Sequence, residues 1–325
     1  MSAPSIDVLG IGNAIVDVIA HADDAFLDAQ SMPKGGMALI DEERAEAIYE
    51  AMGAGIQASG GSAGNTIAGI ASLGGKAGYI GKVKADPLGH VFTHDLRAMG
   101  VHFDTPAATE GPATARCLIL VTADAQRTMN TFLGACVNLT PDDIDEQIVA
   151  SAGITYLEGY LFDPPHAKEA FRKAARIARD AGRKVALSLS DSFCVARYRD
   201  EFRALIDEHI DILFANEDEI MALYESDLDT AIAAVSKSAG IAAITLGAKG
   251  SMIVSGSERI AVPVAHVSQV VDTTGAGDLY AAGVLHGLSR GLPLAECGRL
   301  GSIAAGEIIS HFGARPETPL ASLIG

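Results

Sequence analysis

Tryptophan is missing from this chain, and aromatic residues make up only 5% of it. Platforms on which nucleic-acid bases could stack are therefore scarce. Positive charge is also short. Lys and Arg number 24 against 41 Asp and Glu, a formal net charge of -17. That balance speaks against a general nucleic-acid binder, because phosphate backbones are held by basic surfaces. The cysteines are Cys117, Cys136, Cys194 and Cys297, far apart and without a Cys-x-x-Cys pair or a Cys/His cluster. A disulfide framework and a structural zinc site are not expected, and reduced thiols suit a cytoplasmic protein. No apolar run approaches the roughly eighteen residues of a membrane span. The start, MSAPSIDVLG, has no basic leading segment or long apolar run and does not read as a signal peptide.

What is present is apolar: 49% of 325 residues, enough for one large domain or a large one with a small companion. Short Val- and Ile-rich runs predict strands at 6–12, 16–21, 37–40, 77–83, 113–121 and 127–130. Asp124-Ala125-Gln126 reads as a hairpin turn. After Leu133 strands near 154–159, 185–190, 211–215 and 242–246 alternate with helices near 141–150, 166–182, 199–208, 216–224 and 228–239. Thr140 and Pro141 read as the cap and first residue of the first of these. Alternation of this kind indicates an α/β fold with a mainly parallel sheet, whose ligands sit at the carboxyl ends of strands.

Several polar, glycine-rich turns interrupt this rhythm. Asp272-Thr273-Thr274-Gly275-Ala276-Gly277-Asp278 separates a strand expected over 260–271 from a helix. Free N–H groups of Gly275, Ala276 and Gly277 at a helix start can hold an anion, and Asp278 beside it suits proton abstraction from a hydroxyl. An ordinary capped turn would use the same residue types. Ser59-Gly60-Gly61-Ser62-Ala63-Gly64-Asn65 feeds a second helix and could bind an anion or a polyol. Asn13 and Asp17, four apart, fall on one strand face, either solvated or aimed at a ligand. Asn216 and Glu219 have the spacing of a capping box and also suit hydrated magnesium. Thr245-Leu246-Gly247-Ala248-Lys249-Gly250 is not a P-loop; its turn connects two strands or lines an adenine site. Gly10-Ile11-Gly12 lacks the third glycine of a dinucleotide fingerprint. Arg116 and Arg127, on the arms of the hairpin, are surface arginines or phosphate contacts. His311 caps a helix or packs against a base.

With these residues in hand, the chain resembles the ribokinase, or PfkB, family of carbohydrate kinases, and within it the adenosine kinases. DTTGAGD, GGSAGN and the N-x-x-E of NEDE carry the family resemblance. It implies a three-layer α/β/α ribokinase-like fold with a small β-sheet lid. The lid is expected over 13–40 and 101–130, the large domain over 1–12, 41–100 and 131–325. It implies Asp278 as base, Gly275, Ala276 and Gly277 as anion hole, and ATP with Mg2+ near Asn216 and Glu219. Asp272 and Thr274 resemble a site for activating K+, and Thr245, Gly247, Gly250 and His311 the nucleotide side. GIGNAIVD, NTFLGAC and YLEGYLF resemble the nucleoside site. They imply Asn13, Asp17, Gly60, Gly61 and Asn65 on the ribose, Leu133, Ala135 and Tyr160 at the base, and Arg127 on phosphate. The expected reaction is phosphorylation of the 5′-hydroxyl of a nucleoside, first of all adenosine. The alternatives are inosine or guanosine, a free sugar such as ribose or fructose, and a non-catalytic nucleotide sensor. The expected partners are small molecules, with neither nucleic acid nor membrane. A monomer is expected, with a homodimer the alternative.

Overall fold

The structure, a computed structural model, describes residues 4–124, 126–162 and 164–324. Thirteen strands are found among them: β1 Ile6–Ile11, β2 Ile15–His21, β3 Met37–Leu39, β4 Ile56–Ser59, β5 Ala77–Ile80, β6 Ala115–Val121 and β7 Arg127–Phe132, followed by β8 Ala152–Glu158, β9 Lys184–Ser188, β10 Ile212–Asn216, β11 Ile241–Thr245, β12 Ser251–Ser255 and β13 Glu258–Val262. Eight form a sheet in the order β13-β12-β11-β10-β9-β8-β1-β5. Its strands from β11 to β5 are parallel, and β12 and β13 add an antiparallel edge.

Both faces of this sheet are covered, which explains strands that are apolar throughout. On β10, Ile212 and Phe214 face one core and Leu213 and Ala215 the other. Helices Ser62–Ser72, Ala276–Ser289 and Leu294–Ile308 pack on the first side. Helices Pro165–Asp180, Ser192–His209, Glu217–Tyr224 and Leu228–Ser238 pack on the second. The result is the expected three-layer α/β/α architecture. Strand order reverses at β1, which lies between β8 and β5, so a cleft opens beyond the carboxyl ends of the strands there.

The other five strands form a small sheet in the order β3-β7-β6-β2-β4. One face, with Val16, Val18, Leu118, Leu120 and Phe132, is buried in the core together with Leu27, Ala45 and Ile48. The other carries Ile15, Ile19, Cys117, Ile119, Val121 and Met129, which form a separate apolar cluster. The β1–β2 connection, residues 12–14, is the hinge between the sheets.

The structure corrects some expectations. β4 was not foreseen, and it lies in the small sheet although sequence placed 41–100 with the large domain. The strand expected over 260–271 ends at Val262, because Pro263 has no N–H for the ladder. The helix expected over 141–150 is a 3₁₀ turn, Pro141–Asp143, followed by a helix Glu146–Ser151 that Asp145 caps anew. The helix expected at 199–208 begins earlier, at Ser192, behind the cap Asp191. The turn at 124–126 includes Ala125, which lies outside the described residues. Among those residues, no helix is long and apolar enough to cross a membrane.

Candidate active site

The strand ends supply the floor of the cleft. Ser188, Asn216 and Thr245, the last residues of β9, β10 and β11, line a cavity of about 410 Å³. Asp17, Gly61, Ser62 and Asn65 line one wall, Thr273 to Asp278 another, and Ile15, Cys117, Ile119, Met129 and Thr131 of the small sheet form the roof. A second cavity of about 480 Å³, lined mainly by apolar groups including Gly247, Gly250, Val264, Val267 and Ile309, lies beside it. Thr245, Thr273, Ala276, Gly277 and Tyr280 line both cavities. The 273–277 loop is thus a wall shared by two ligand-sized spaces.

This loop does not follow a strand, contrary to the sequence reading. After Pro263 the chain runs without regular structure, and its end is pinned by the Val271 N–H bond to Ile309 O. Gly275, at φ 78°, caps the Ala276–Ser289 helix. A Cβ there would stand 2.9 Å from that of Ala314, so glycine is required twice over. No side chain caps the first turn, which leaves its N–H groups for an anion.

Asp278 stands one turn into that helix. Its Oδ1 accepts from Ser62 Oγ at 2.6 Å and its Oδ2 from Asn65 Nδ2 at 2.9 Å. Burial raises its pKa to about 6, opposed by those two hydrogen bonds and by the Arg315 charge. Asp17, on the roof, is likewise raised to about 6 by burial, opposed first by Arg315 and then by Arg127. Gly60 is needed because a Cβ would run into the Asp17 carboxyl group. Gly61, at φ 82°, lies against Asn13 O just as tightly.

Asn13 behaves differently from the expectation. It lies in the hinge, not on the strand with Asp17, and it is 2% exposed. Its Nδ2 donates to Glu158 Oε1 at 2.8 Å, while its Oδ1 is buried without a protein partner. Asn65 Oδ1 is buried and unpartnered in the same way.

The two arginines separate by strand register. β7 pairs Arg127 with Val121 and Met129 with Ile119, so Arg127 lies on the roof face. Arg116 pairs with Val16 and Phe132 on the opposite face and stands 3.9 Å from Glu46, away from the cleft. Arg127 Nη1 bonds Asp272 Oδ2 at 2.7 Å, with both side chains 8% exposed. Its Nε and Nη2 are buried with no protein partner.

Asn216 and Glu219 close on each other as a capping box. Asn216 N and Nδ2 donate to the Glu219 carboxylate at 2.9 and 2.7 Å, and Glu219 N donates back. Both line the cavity, and burial raises Glu219 to about 7 against the Asn216 hydrogen bond. Asp272 Oδ1 is taken by Thr274 N and Oγ1, and its Oδ2 by Gly313 N as well as Arg127. No group of three or more His, Cys, Asp or Glu that could hold a metal is found among the described residues.

Tyr160 lines the first cavity and is 40% exposed. Leu133 and Ala135 do not line it. They belong to a short 3₁₀ turn docked on Ala113, where Ala135 is fully buried. His311 is also absent from both cavities and instead pairs with Glu307 at 3.2 Å, behind the loop. Three residues at the centre were not singled out from sequence. Ser62 bonds Asp278, and Arg315 donates to Ser59 O and Ser59 Oγ at 2.9 and 3.1 Å behind the two aspartates. Glu158 ends β8 and is 1% exposed. Ser62 lies inside the GGSAGN motif and Glu158 inside YLEGYLF, but neither was marked there, and Arg315 had no signal of its own.

The comparisons with known proteins agree with this geometry. The profile of the pfkB family carbohydrate kinases matches residues 40–321. A 5-dehydro-2-deoxygluconokinase from Shouchella clausii is 30% identical over 277 residues, which is 82% of this chain and 84% of that protein. The crystal structure of an adenosine kinase from Sinorhizobium meliloti is 54% identical, covers 98% of each chain and superposes with a TM-score of 0.91. A probable sugar kinase from Rhizobium etli is 51% identical over 98% of each chain, with a TM-score of 0.92. Two adjoining cavities, a helix N-terminus between them and a profile spanning most of the sequence lead to one conclusion: this chain belongs to the pfkB family of carbohydrate kinases and is an ATP-dependent kinase of a small sugar or nucleoside.

Proposed function

We propose that the acceptor is a nucleoside, adenosine first, and that the phosphoryl group goes to its 5′-hydroxyl. The observation that carries this reading is the mixed lining of the first cavity. Its polar wall offers acceptors: the carboxylates of Asp17 and Asp278 and the unpaired Asn65 Oδ1. Such a wall calls for a ligand rich in hydroxyl donors, which is a sugar. The roof beside it is Ile15, Cys117, Ile119 and Met129, and Tyr160 lines the same space. These groups suit the apolar faces of a base more than a bare sugar. The likeness to the Sinorhizobium meliloti enzyme supports the same choice.

In this reading Asp17 and Asn65 hold the ribose, and Asp278 takes the proton of the attacking hydroxyl. Gly275, Ala276 and Gly277 turn their N–H groups to the charge on the transferred phosphoryl group. Arg127 contributes the two N–H-bearing nitrogens that have no protein partner. ATP fits the second cavity, with its phosphates at the shared loop; Thr245, Gly247 and Gly250 line that space. Asn216 and Glu219 spend their strongest contacts on each other, which suits holding hydrated magnesium through water. When bound, magnesium neutralises phosphate charge. Asp272 and Thr274 as they stand do not make an open cation site, because the Asp272 carboxylate is already matched by Arg127 and three further donors. K+ activation is therefore left as a solution measurement, by exchange of K+ for tetramethylammonium.

The test is a panel of adenosine, inosine, guanosine, cytidine, ribose and fructose with ATP, Mg2+ and K+, products being identified by mass. AMP from adenosine at the highest kcat/KM is expected. A sugar phosphate as the dominant product would overturn the nucleoside assignment, and no product from any acceptor would favour a nucleotide-binding sensor. Asp278→Asn should lower kcat by about 10²–10⁴-fold, the usual contribution of a general base. A folded variant with wild-type turnover sinks the role given to Asp278.

A further inference from the structure

Glu158 is a buried carboxylate to which the reaction above gives no task. It lies at the carboxyl end of β8, 1% exposed, and no cationic side chain among the described residues bonds it. Three donors converge on it. Asn13 N and Asn13 Nδ2 reach Oε1 at 3.3 and 2.8 Å, and Ala63 N reaches Oε2 at 2.7 Å. Gly12 comes so close that a Cβ would collide with Oε2. Each partner belongs to a different part of the fold. Residues 12–14 are the hinge between the two sheets, and Ala63 is in the first turn of the Ser62–Ser72 helix. That helix starts at Gly61, which has no capping side chain, so Glu158 supplies the missing acceptor from outside the helix. The same first turn carries Ser62 and Asn65, the two groups bonded to Asp278.

We propose that Glu158 is a positioning residue for phosphoryl transfer: its carboxylate clamps the lid hinge to the first turn of the Ser62 helix and so fixes the groups that hold Asp278. The proposal rests on the reading of Asp278 as the base. Glu158 also sets the orientation of the Asn13 amide. A carboxylate accepts only, so Nδ2 turns toward it and Oδ1 is left without a protein partner. The negative charge is favoured by the helix N-terminus it caps. Burial, the larger influence, moves its pKa up to about 7, against the hydrogen bonds from Ala63 and Asn13, while Asp278 adds to the rise. A clamp that carries charge at the cost of desolvation is worth more to the enzyme as geometry than as stability.

Glu158→Gln is the decisive variant. The amide keeps the shape but places N–H groups against Ala63 N–H or Asn13 Nδ2, so one side of the clamp opens. The acceptor for the assay is whichever of adenosine, inosine, guanosine, ribose and fructose the wild type turns over fastest. A fall in kcat of about 10- to 100-fold is expected, as for a misplaced reacting group. KM for ATP should stay within about 2-fold, because none of the Glu158 partners lines the nucleotide cavity. A merely structural Glu158 would lower the denaturation midpoint yet leave kcat of the folded enzyme unchanged, and that result overturns the proposal. If Glu158→Gln does not fold, Glu158→Asp takes its place. It keeps the charge but is one carbon shorter and cannot reach both partners, so the same separation of kcat from KM for ATP is expected, and its absence counts equally against the clamp. Asp278→Asn is assayed in parallel. Wild-type turnover there removes the base reading and this proposal with it. An impaired Asp278→Asn beside an unimpaired Glu158 variant removes only the clamp.

Discussion

Individual carboxylates at the cleft share one peculiarity: each is held above its ordinary pKa by burial. Asp278 and Asp17 stand near 6 and Glu158 near 7. For a base the consequence has a definite sign. Asp278 works only when ionised, so kcat/KM should fall as pH drops through about 6 and level off above about 7, measured under conditions where the protein stays folded. A profile flat down to pH near the ordinary Asp value, about 4, would contradict the burial argument. Stability runs the other way. A carboxyl group whose folded pKa is raised binds more protons folded than unfolded between its two pKa values. Its contribution is present at low pH and is lost as pH rises through the folded value. At this scale the residues that a turn announced in the sequence, Asp278, Asn65 and Gly61, all line the cleft. Sequence reading missed Arg315, whose neighbours look like an ordinary tail, and Glu158, which sits unmarked inside YLEGYLF. The resemblance also implies Leu133, Ala135 and His311 at the ligand; none of them lines either cavity, Ala135 N bonding Ala113 O and His311 pairing with Glu307.

Elements explain why the turns matter. Two helices begin at the cleft without side-chain caps, Ser62–Ser72 and Ala276–Ser289, and both begin behind a glycine of positive φ. Their N-termini, the first of them capped from outside by Glu158, border the cleft, and the glycines let the backbone come that close. Gly61→Ala tests this directly. The left-handed backbone alone costs about 1–3 kcal/mol for a side-chain-bearing residue, and the Cβ collides with Asn13 O as well. Urea denaturation should show at least that loss, with a fall in activity. An unaltered midpoint would mean that the turn relaxes freely. Repetition of buried strands and amphipathic helices made an α/β fold with a mainly parallel sheet legible from sequence, and the family resemblance implied the three layers. Edge elements were less legible: β4 is only four residues long, and Pro263 ends β13 at Val262 against the run of Val and Ile that suggests a longer strand.

Considered whole, the molecule is a large three-layer body with a small sheet folded over its switch point. One contact across the gap is electrostatic: Arg127 of the roof bonds Asp272 just before the anion loop. Both side chains are buried, and removing one partner strands the other charge at a cost of about 3–5 kcal/mol. Arg127→Met is therefore expected to open the lid, seen as a larger radius of gyration in solution scattering and faster proteolysis of the small sheet. Identical scattering for variant and wild type would show that apolar packing alone keeps the lid down.

That ion pair bears on how the product gets out. Transfer turns a neutral hydroxyl into a phosphate ester carrying close to two negative charges. Arg127 lines neither cavity, so an anion in the cleft would reach its guanidinium only in competition with Asp272. In the proposed reading any phosphate at the 275–277 loop, of ATP or of the product, would be such a rival, while a neutral acceptor would not. The position of the small sheet would then answer to the charge held in the cleft rather than to the shape of the acceptor.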